Sequence, residues 1–240
     1  MSAHSTQCCI AGGGPAGLML GYLLARSGVD VTVLEKHADF LRDFRGDTVH
    51  PSTLEVMSEL GLIDRFLELP HQKVFKVGGV VGETPVTIAD FSHLPVRERY
   101  IAMMPQWDFL SFLAEEASRY PGFKLRMRTQ ATDLIKEGDR VVGVRASASE
   151  GPMEIRADLV VAADGRNSTL RAQSGLDVED YGAPMDVLWF RLPAETGDVG
   201  ETMGRFGAGS LLVMIFRGDY WQCAYVIPKG AFDGIKARGI

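Results

Sequence analysis

Apolar residues along the first part of the chain follow the pattern of a strand, a helix and a second strand. Residues 7–11 and 31–34 are short apolar runs, the second rich in β-branched side chains, as is typical of buried strands. Between them, residues 18–26 are apolar almost all round, which predicts a buried helix, and Gly28 follows where a helix C-terminal glycine belongs. This order predicts a βαβ unit with a parallel sheet.

The pattern continues with helices and strands to about residue 180. Residues 51–60, opened by Pro51 and closed by Gly61, and the amphipathic residues 108–120 predict two helices. The turn Glu137-Gly138-Asp139 has a composition typical of a hairpin and begins a three-stranded meander. The strands predicted in this part are residues 74–81, 86–91, 132–136, 141–148, 153–157 and 159–163, the last one buried.

After Tyr181 the predicted elements are strands only: residues 185–192, 211–216 and 220–227, separated by glycine-rich turns. Strands without helices between them predict an antiparallel sheet and a second domain. We therefore expect an α/β fold, in which a Rossmann-like domain with a parallel sheet and a β-meander is interleaved with an antiparallel-sheet domain. The expected boundaries are 1–73 and 99–180 for the first domain, and 74–98 and 181–240 for the second.

Composition and charge narrow the class of protein. With 46% apolar and 23% charged residues, the chain is typical of a globular protein in solution. The net charge of −6 argues against non-specific binding of nucleic acid or anionic lipid. Residues 1–7 lack the lysine or arginine of a signal peptide, and glycines and a proline interrupt the apolar run 8–25 too early for a membrane helix. We expect a cytoplasmic protein without a membrane span, whose three cysteines, Cys8, Cys9 and Cys223, are buried and reduced, the first two on opposite faces of a strand.

A glycine motif lies between the first strand and the first helix. It reads Gly12-x-Gly14-Pro15-Ala16-Gly17. Gly12 permits a tight turn, Gly14 lets the backbone approach a pyrophosphate, and Gly17 lets the helix pack closely on the strand. The helix N-terminus then offers N–H groups and a positive dipole end to the anion. In this βαβ context the motif predicts dinucleotide binding rather than a purely structural turn.

A carboxylate stands at the end of the second strand. Glu35, followed by Lys36, lies about twenty residues after the glycine motif. There it can accept hydrogen bonds from ribose hydroxyls, and it would repel a 2′-phosphate, so NADP is not expected at this site. The unit by itself leaves FAD and NAD open.

A later segment distinguishes between FAD and NAD as the predicted cofactor. Residues 158–171 read Asp-Leu-Val-Val-Ala-Ala-Asp-Gly-Arg-Asn-Ser-Thr-Leu-Arg. The segment resembles the Asp-Gly segment of FAD-dependent aromatic hydroxylases, single-component flavin monooxygenases with the p-hydroxybenzoate hydroxylase-like fold. The resemblance implies FAD as the cofactor and NAD(P)H as a transient co-substrate. Asp164 can accept hydrogen bonds, Gly165 permits close backbone approach, and Ser168 can cap the following short helix; the alternative is an ordinary Asp-Gly turn.

Three further positions agree with this family. The resemblance places Arg45 against the FAD phosphates or the flavin edge. Arg42 is the competing candidate for this role, and either arginine could instead be a solvated surface charge. It places Gln106 against the ribityl–phosphate region, where helix capping is the alternative, and the Ala131 backbone against adenine. The two domains would then be the FAD-binding domain and the substrate domain.

One segment of the family has no counterpart. The hydroxylases carry a later Gly-Asp-Ala-Ala-His-type segment that holds the ribityl chain and the isoalloxazine. Gly-Asp occurs here at positions 46, 138, 197 and 218, never in that pattern, and no histidine follows His93. We therefore expect a fragment whose partner is the missing C-terminal part of the same protein, and which alone binds FAD weakly and is inactive.

The resemblance also implies a reaction. NAD(P)H reduces FAD, dioxygen forms a flavin hydroperoxide, and oxygen is transferred to an aromatic or polyketide-like substrate. The flavin does this chemistry, so no catalytic side chain and no metal are expected; His50 is the one histidine worth testing, with helix entry as its ordinary role. Aligned on Pro228, the substrate wall would consist of Met214, Phe216 and Ala224, which favours a large and weakly acidic substrate, with Trp189, Arg191, Trp221 and Tyr225 as other candidates.

Three alternatives stay open. A flavin halogenase of this fold carries a Trp-x-Trp-x-Ile-Pro run, and residues 223–228 read Cys-Ala-Tyr-Val-Ile-Pro, without either tryptophan. A prenyl-chain reductase of the same fold would reduce its substrate without consuming oxygen. A non-catalytic FAD-binding fragment would have no reaction at all.

Overall fold

The computed structural model describes residues 3–41, 47–195 and 203–237. In chain order the elements are β1 (Ala3–Ala11), α1 (Pro15–Arg26), β2 (Val31–Leu34), β3 (Thr48–Val49), α2 (Pro51–Glu59), α3 (Ile63–Phe66), β4 (Gln72–Val74), β5 (Lys76–Val81), β6 (Thr84–Asp90), β7 (Ile101–Met103), α4 (Gln106–Ser118), β8 (Phe123–Arg126), β9 (Gln130–Glu137), β10 (Arg140–Ala148), β11 (Gly151–Ala162), α5 (Thr169–Ser174), β12 (Met185–Pro193), β13 (Met203–Gly207), β14 (Ser210–Phe216), β15 (Tyr220–Pro228) and α6 (Phe232–Lys236). The predicted α/β class, with parallel and antiparallel sheets, is confirmed.

The chain divides into two compact units, each built from two separated stretches. The first unit is Met1–Arg45 with Pro105–Val178, and the second is Gly46–Met104 with Glu179–Ile240. The expected boundaries put residues 47–73, 99–104 and 179–180 in the first domain, whereas the structure groups them with the second unit. The reason is that β3, β7 and β4 pair with one another in a three-stranded sheet. The assignment of the units to cofactor and substrate stays a prediction.

The first unit is built on a six-stranded sheet in the order β8-β2-β1-β11-β10-β9. The first four strands of this order are parallel, and β11, β10 and β9 form the antiparallel meander. Two strands predicted at 153–157 and 159–163 are one strand, because β11 pairs with β10 along its first half and with β1 from Glu154 to Ala162. The expectation that its end is buried was also wrong, since Leu159 is 56% exposed.

Apolar side chains from the meander and the parallel strands form one core cluster in this unit. It contains Cys9, Ala11, Leu34, Ala131, Val144, Ala146, Met153, Ile155, Ala157 and Leu170. Helices α1 and α4 pack against each other, with the rings of Tyr22 and Tyr120 in an edge contact at 5.8 Å. The core therefore ends at Ala11 and Leu34, where the predicted cofactor segments begin.

The second unit contains a six-stranded sheet in the order β12-β15-β14-β13-β5-β6 and the three-stranded sheet β3-β7-β4. All neighbours in the large sheet are antiparallel except β13 and β5, which are parallel. The strand predicted at 74–81 is divided at Phe75 between the two sheets. A core of Ile101, Met103 and Ile215 joins the small sheet to the large one.

Candidate functional site: a dinucleotide cavity in the first unit

The glycine loop connects β1 to α1 with the geometry that its sequence predicts. Gly12 has a φ of +110°, and a Cβ there would lie 2.2 Å from the Ala163 carbonyl oxygen. A Cβ on Gly17 would lie 1.9 Å from the Gly12 carbonyl oxygen. Both positions thus exclude any side chain because backbone occupies the space.

Gly14 has a different role from these two glycines. It is the N-cap of α1 with ordinary extended angles, φ −76° and ψ −177°. A Cβ built on it meets nothing within 4 Å. Its lack of a side chain leaves open space in front of the α1 N-terminus, where Pro15 and Ala16 form the first turn. Backbone N–H groups of such a turn have no partner within the helix and attract anions.

The glycine loop, the end of β2, the start of β9 and the Asp-Gly segment enclose a cavity of about 240 Å³. Its lining is Ala11, Gly12, Gly14, Leu34, Glu35, Lys36, His37, Thr129, Gln130, Ala131, Ala163, Asp164, Gly165, Asn167 and Thr169. Four separate stretches of the first unit meet here. The predicted residues Lys36 and Ala131 are among them.

Glu35 is buried at the cavity wall and is held by backbone groups. Its Oε2 accepts a hydrogen bond from Gly13 N at 3.1 Å, and its Oε1 accepts one from His37 N at 2.9 Å. The His37 ring also reaches the carboxylate, with Nδ1 2.5 Å from Oε1. The carboxylate is therefore fixed at the end of β2 and tied to the glycine loop.

Sequence reasoning missed His37 and the loop that supports it. Arg128 N donates to the His37 carbonyl oxygen and Thr129 N to that of Glu35, both at 2.8 Å. Arg128 adopts this position with a φ of 52°, uncommon for a residue with a side chain. Only the nearness of His37 to Glu35 in the sequence could have pointed to it, because a side-chain rotamer has no sequence signal.

Asp164 caps the helix that follows it. Its Oδ1 accepts a hydrogen bond from Ser168 Oγ at 2.5 Å, and its Oδ2 accepts one from Thr169 N at 2.9 Å. Ser168 Oγ in turn accepts one from Arg171 N at 3.0 Å, so the predicted cap is present. Gly165 has a φ of +89° and open space around it, which leaves its backbone accessible from the cavity.

Of the other predicted cofactor residues, Gln106 is described by the structure and Arg45 is not. Gln106 is the first residue of α4 and is not among the cavity-lining residues. Arg45 and its competitor Arg42 lie outside the described residues. His50 is the N-cap of α2 and accepts a hydrogen bond from Thr53 N through its carbonyl, as expected for helix entry.

The substrate wall expected from Met214, Phe216 and Ala224 does not form on one face of the large sheet. Ala224 pairs with Val213, and Met214 pairs with Cys223. Paired residues share a face and successive residues alternate, so Ala224 lies opposite Met214 and Phe216. The three residues are divided between two faces because a closing proline fixes a position along one strand and leaves the register of the hairpin undetermined. Contact of each residue with substrate stays a prediction.

Each face of that sheet carries apolar side chains near these positions. Trp189 and Val213 lie beside Ala224, and Arg191 pairs with Gln222 on the same face. On the opposite face the Phe216 and Trp221 rings are 5.0 Å apart. An open cavity of about 780 Å³ is lined by Leu188, Phe190, Leu212 and Tyr225 of this face, by Val187 and Trp189 of β12, and by Phe232, Ile235 and Lys236 of α6.

The three cysteines are buried and free, with Cys8 and Cys9 adjacent in β1. Burial raises the pKa of all three thiols, that of Cys9 to about 12. We expect them to react with a thiol reagent at pH 8 at least about 100-fold more slowly than unfolded cysteine, because the thiolate is the reactive form. The rate is measured from the colour that a chromogenic thiol reagent releases, with the folded protein in buffer and with the unfolded protein in guanidinium chloride. Three thiols that react in buffer as fast as in guanidinium chloride would contradict the burial described here.

No described helix combines the length and apolar character needed to cross a membrane. Within residues 3–41, 47–195 and 203–237, no three His, Cys, Asp or Glu side chains are placed to hold a metal ion together.

A βαβ unit with this glycine loop, an acid at the end of β2 and a polar cavity between them defines a dinucleotide-binding protein of the Rossmann type. Residues 5–214 match the family described as FAD binding domain, and the chain belongs to that family. FAD is thus the dinucleotide, and the predicted resemblance to FAD-dependent hydroxylases is confirmed.

Individual monooxygenases are similar to the chain in sequence or in fold. The chain is 31% identical to 6-methylpretetramide 4-monooxygenase of Streptomyces rimosus, over 99% of this chain and 56% of that protein. It is 31% identical to rifampicin monooxygenase of Streptomyces venezuelae, over 87% of this chain and 44% of that protein. The crystal structure of p-nitrophenol 4-monooxygenase from Pseudomonas putida has the same fold, with a TM-score of 0.82 and 20% identity over 99% of this chain and 62% of that one. The chain spans about half the length of the curated relatives it matches.

Proposed function

We propose that the protein is an FAD-dependent monooxygenase that uses NAD(P)H and dioxygen to hydroxylate an aromatic or polyketide-like small molecule. The observation that carries this proposal is the cavity in which the glycine loop, Glu35 and Asp164 meet, in a chain of the FAD binding domain family. Two similar proteins are monooxygenases by name, which favours the same reaction class. A cytoplasmic location stays a prediction.

The residues around the cavity fit the ADP half of FAD. The α1 N-terminus behind Gly14 is suited to the pyrophosphate, since open space lies in front of it. Glu35 is suited to the ribose hydroxyls, which would compete with the His37 ring for Oε1. The Ala131 backbone then lies where adenine would bind, at the start of β9.

Asp164 and Gly165 are suited to the middle of the cofactor. The carboxylate of Asp164 is already fixed by the α5 cap, so its position costs no further ordering when a ligand binds. Gly165 leaves its backbone open to close approach. When bound, FAD supplies the redox chemistry, taking electrons from NAD(P)H and passing them to dioxygen. The tasks of the chain are to hold and orient the cofactor and to exclude water.

We also propose that the substrate is large and weakly acidic. Two features of the second unit support this: the apolar side chains Trp189, Val213 and Ala224 on one face of its sheet, and the mainly apolar cavity that Leu188, Trp189 and Tyr225 line. A substrate carboxylate would call for an arginine or lysine pair in such a wall. Arg191, on the face of Ala224, and Lys236, which lines the cavity, are the cationic side chains to replace when carboxylated substrates are tested.

The proposed reaction predicts a measurable stimulation. With FAD present, NADH or NADPH oxidation by the intact protein is expected to rise at least about tenfold when a phenolic or polyketide compound is added, with oxygen consumed in equal amount. The absorbance of NADH or NADPH at 340 nm measures its oxidation, and an oxygen electrode measures the oxygen consumed. Substrate reduction without oxygen uptake would instead indicate a reductase, and no bound flavin with no stimulation across a broad panel would contradict the proposal.

A further inference from the structure

A glutamine side chain in the first unit joins helix α5 to the edge of β9. Gln173 Oε1 accepts a hydrogen bond of 2.8 Å from Leu134 N, and Gln173 Nε2 donates one of 3.0 Å to the Thr132 carbonyl oxygen. The same Nε2 donates to Asp133 Oδ1 at 3.2 Å. The amide of Gln173 is therefore bonded to backbone groups of two alternate residues of the strand.

These hydrogen bonds are of the kind that a neighbouring strand would make. β9 is at the end of the six-stranded sheet, and no strand of the described residues pairs with its outer edge. Backbone N–H and C=O groups of alternate residues point to the same edge of a strand, and at a free edge they are unpaired. A side-chain amide carries both a donor and an acceptor, so Gln173 pairs with the edge as a peptide group of another strand would.

Helix α5 is short and has Leu170 as its buried side chain. Leu170 belongs to the core cluster that also contains Ala131 of β9. Residues three apart share a face of a helix, so Leu170 and Gln173 both lie towards this strand. An apolar contact is non-directional and fixes how deeply the helix is buried, whereas hydrogen bonds are directional. Gln173 therefore fixes the direction of α5 along β9.

Both of the elements that Gln173 joins carry residues of the dinucleotide cavity. β9 begins with Gln130 and Ala131, which line the cavity, and α5 begins with Thr169, which lines it next to Asp164. Thr169 N donates a hydrogen bond of 2.9 Å to Asp164 Oδ2, so a movement of α5 also moves the carboxylate. The position of α5 along β9 thus decides how the Asp164 side of the cavity faces the Ala131 side.

The sheet side of the cavity is held by backbone groups instead. Thr129 N donates to the Glu35 carbonyl oxygen, and Ala163 N donates to the Ala11 carbonyl oxygen, both at 2.8 Å. These bonds continue the pairing of the sheet up to the cavity. Because α5 lies beyond them in the chain, loss of the Gln173 amide should shift the α5 side and leave the glycine loop in place.

We propose that Gln173 is a positioning residue for FAD: by joining α5 to β9 it aligns the Asp164 side of the cavity with the adenine side. The inference rests on the proposed function, which assigns Asp164 and Gly165 to the middle of the cofactor. Gln173 itself is not among the cavity-lining residues. Its removal should therefore weaken binding of FAD, which spans both sides, more than binding of AMP, which ends at its single phosphate.

Replacing Gln173 by methionine in the intact protein tests the inference. Methionine keeps the length and helix propensity of glutamine but has no amide to bond β9. Gln7→Met is the matched control, because Gln7 Oε1 also accepts a backbone hydrogen bond, of 2.8 Å from Asp30 N, and Gln7 lies outside the cavity. Each protein is titrated with FAD by flavin fluorescence, AMP affinity is measured by displacement of FAD, and the melting temperature is recorded.

Gln173→Met is expected to bind FAD about tenfold more weakly, a factor typical of coupling between separated sites, with AMP affinity within about twofold of the wild type. Its melting temperature should fall by less than about 5 °C, since Thr132 and Leu134 are only half-buried and water can reach their freed groups. Gln7→Met should match the wild type in both affinities. Wild-type FAD affinity in Gln173→Met would overturn the inference, and so would equal losses of FAD and AMP affinity, the result of a purely structural role.

A second variant decides the case where Gln173→Met does not fold. Gln173→Glu keeps an acceptor for Leu134 N, but an ionised carboxylate has no donor for the Thr132 carbonyl and is repelled by Asp133. It is expected to bind FAD at least about fivefold more weakly with AMP affinity unchanged, and wild-type FAD affinity would overturn the inference. A wild type that binds no FAD, or whose FAD is not displaced by AMP, would contradict the proposed function, and the inference would fall with it.

Discussion

Replacing Gly14 by alanine is expected to leave the fold intact and to weaken FAD binding by about 10- to 100-fold. Alanine adopts the backbone angles of Gly14 without strain, and its methyl group meets no atom within 4 Å. The same methyl group would stand in front of the α1 N-terminus, where a pyrophosphate must approach the backbone. Loss of one charge-assisted hydrogen bond, worth about 1.5–3 kcal/mol, accounts for the factor. Thermal unfolding and a fluorescence titration with FAD measure the two effects separately.

A matched glycine in the second unit serves as the control. Gly234 also has open space around a built Cβ, and it lies in α6, outside the cavity. Gly234→Ala is expected to change neither the melting temperature by more than about 2 °C nor the FAD affinity. Unchanged FAD binding in Gly14→Ala would show that the pyrophosphate does not approach this loop, whatever the control does.

Replacing Gly12 by alanine is expected to destabilise the protein by about 3 kcal/mol. Two causes add: a φ of +110°, which alanine adopts only under strain, and a Cβ 2.2 Å from the Ala163 carbonyl oxygen, which is backbone and cannot move aside. Backbone strain and overpacking each cost about 1–3 kcal/mol. Because Ala163 leads directly into Asp164, the cavity is distorted as well. Urea unfolding followed by circular dichroism gives the free energy of unfolding.

Each of the two alanine variants adds one methyl group to the glycine loop, at positions that are two residues apart. Gly14→Ala should separate binding from stability, while Gly12→Ala should lower both. A Gly12→Ala protein as stable as the wild type would mean that the β1–α1 turn does not pack against Ala163 as described.

The glycine loop and its acid could be predicted because their signals are local. Gly12, Gly14, Gly17 and Glu35 are separated by short, fixed distances within one βαβ unit, and β2 lies at residues 31–34 as predicted. The resemblance added Asp164 and Gly165, which the fold brings to the same cavity. Patterns of apolar residues were sufficient for β2 and for the end of β1 because these residues are buried.

Features that depend on pairing partners could not be predicted. The sequence predicts two strands on either side of the exposed Asp158, yet β11 is one strand because β1 pairs with it from Glu154 to Ala162. The opposite faces of Met214 and Ala224 follow from the register of one hairpin, which no single strand reveals. The ion pair between Arg217 and Asp47 joins residues 170 positions apart, and His37 reaches Glu35 by its rotamer.

The central claim is that the cavity between the glycine loop, Glu35 and Asp164 holds the ADP half of FAD, and titration of the purified protein with FAD tests it most directly. The account predicts saturable binding of one FAD per chain, competed by ADP and weakened in the Gly14→Ala variant. Absence of binding up to about 1 mM FAD, the range of very weak complexes, or binding that ADP does not compete and Gly14→Ala does not weaken, would contradict it.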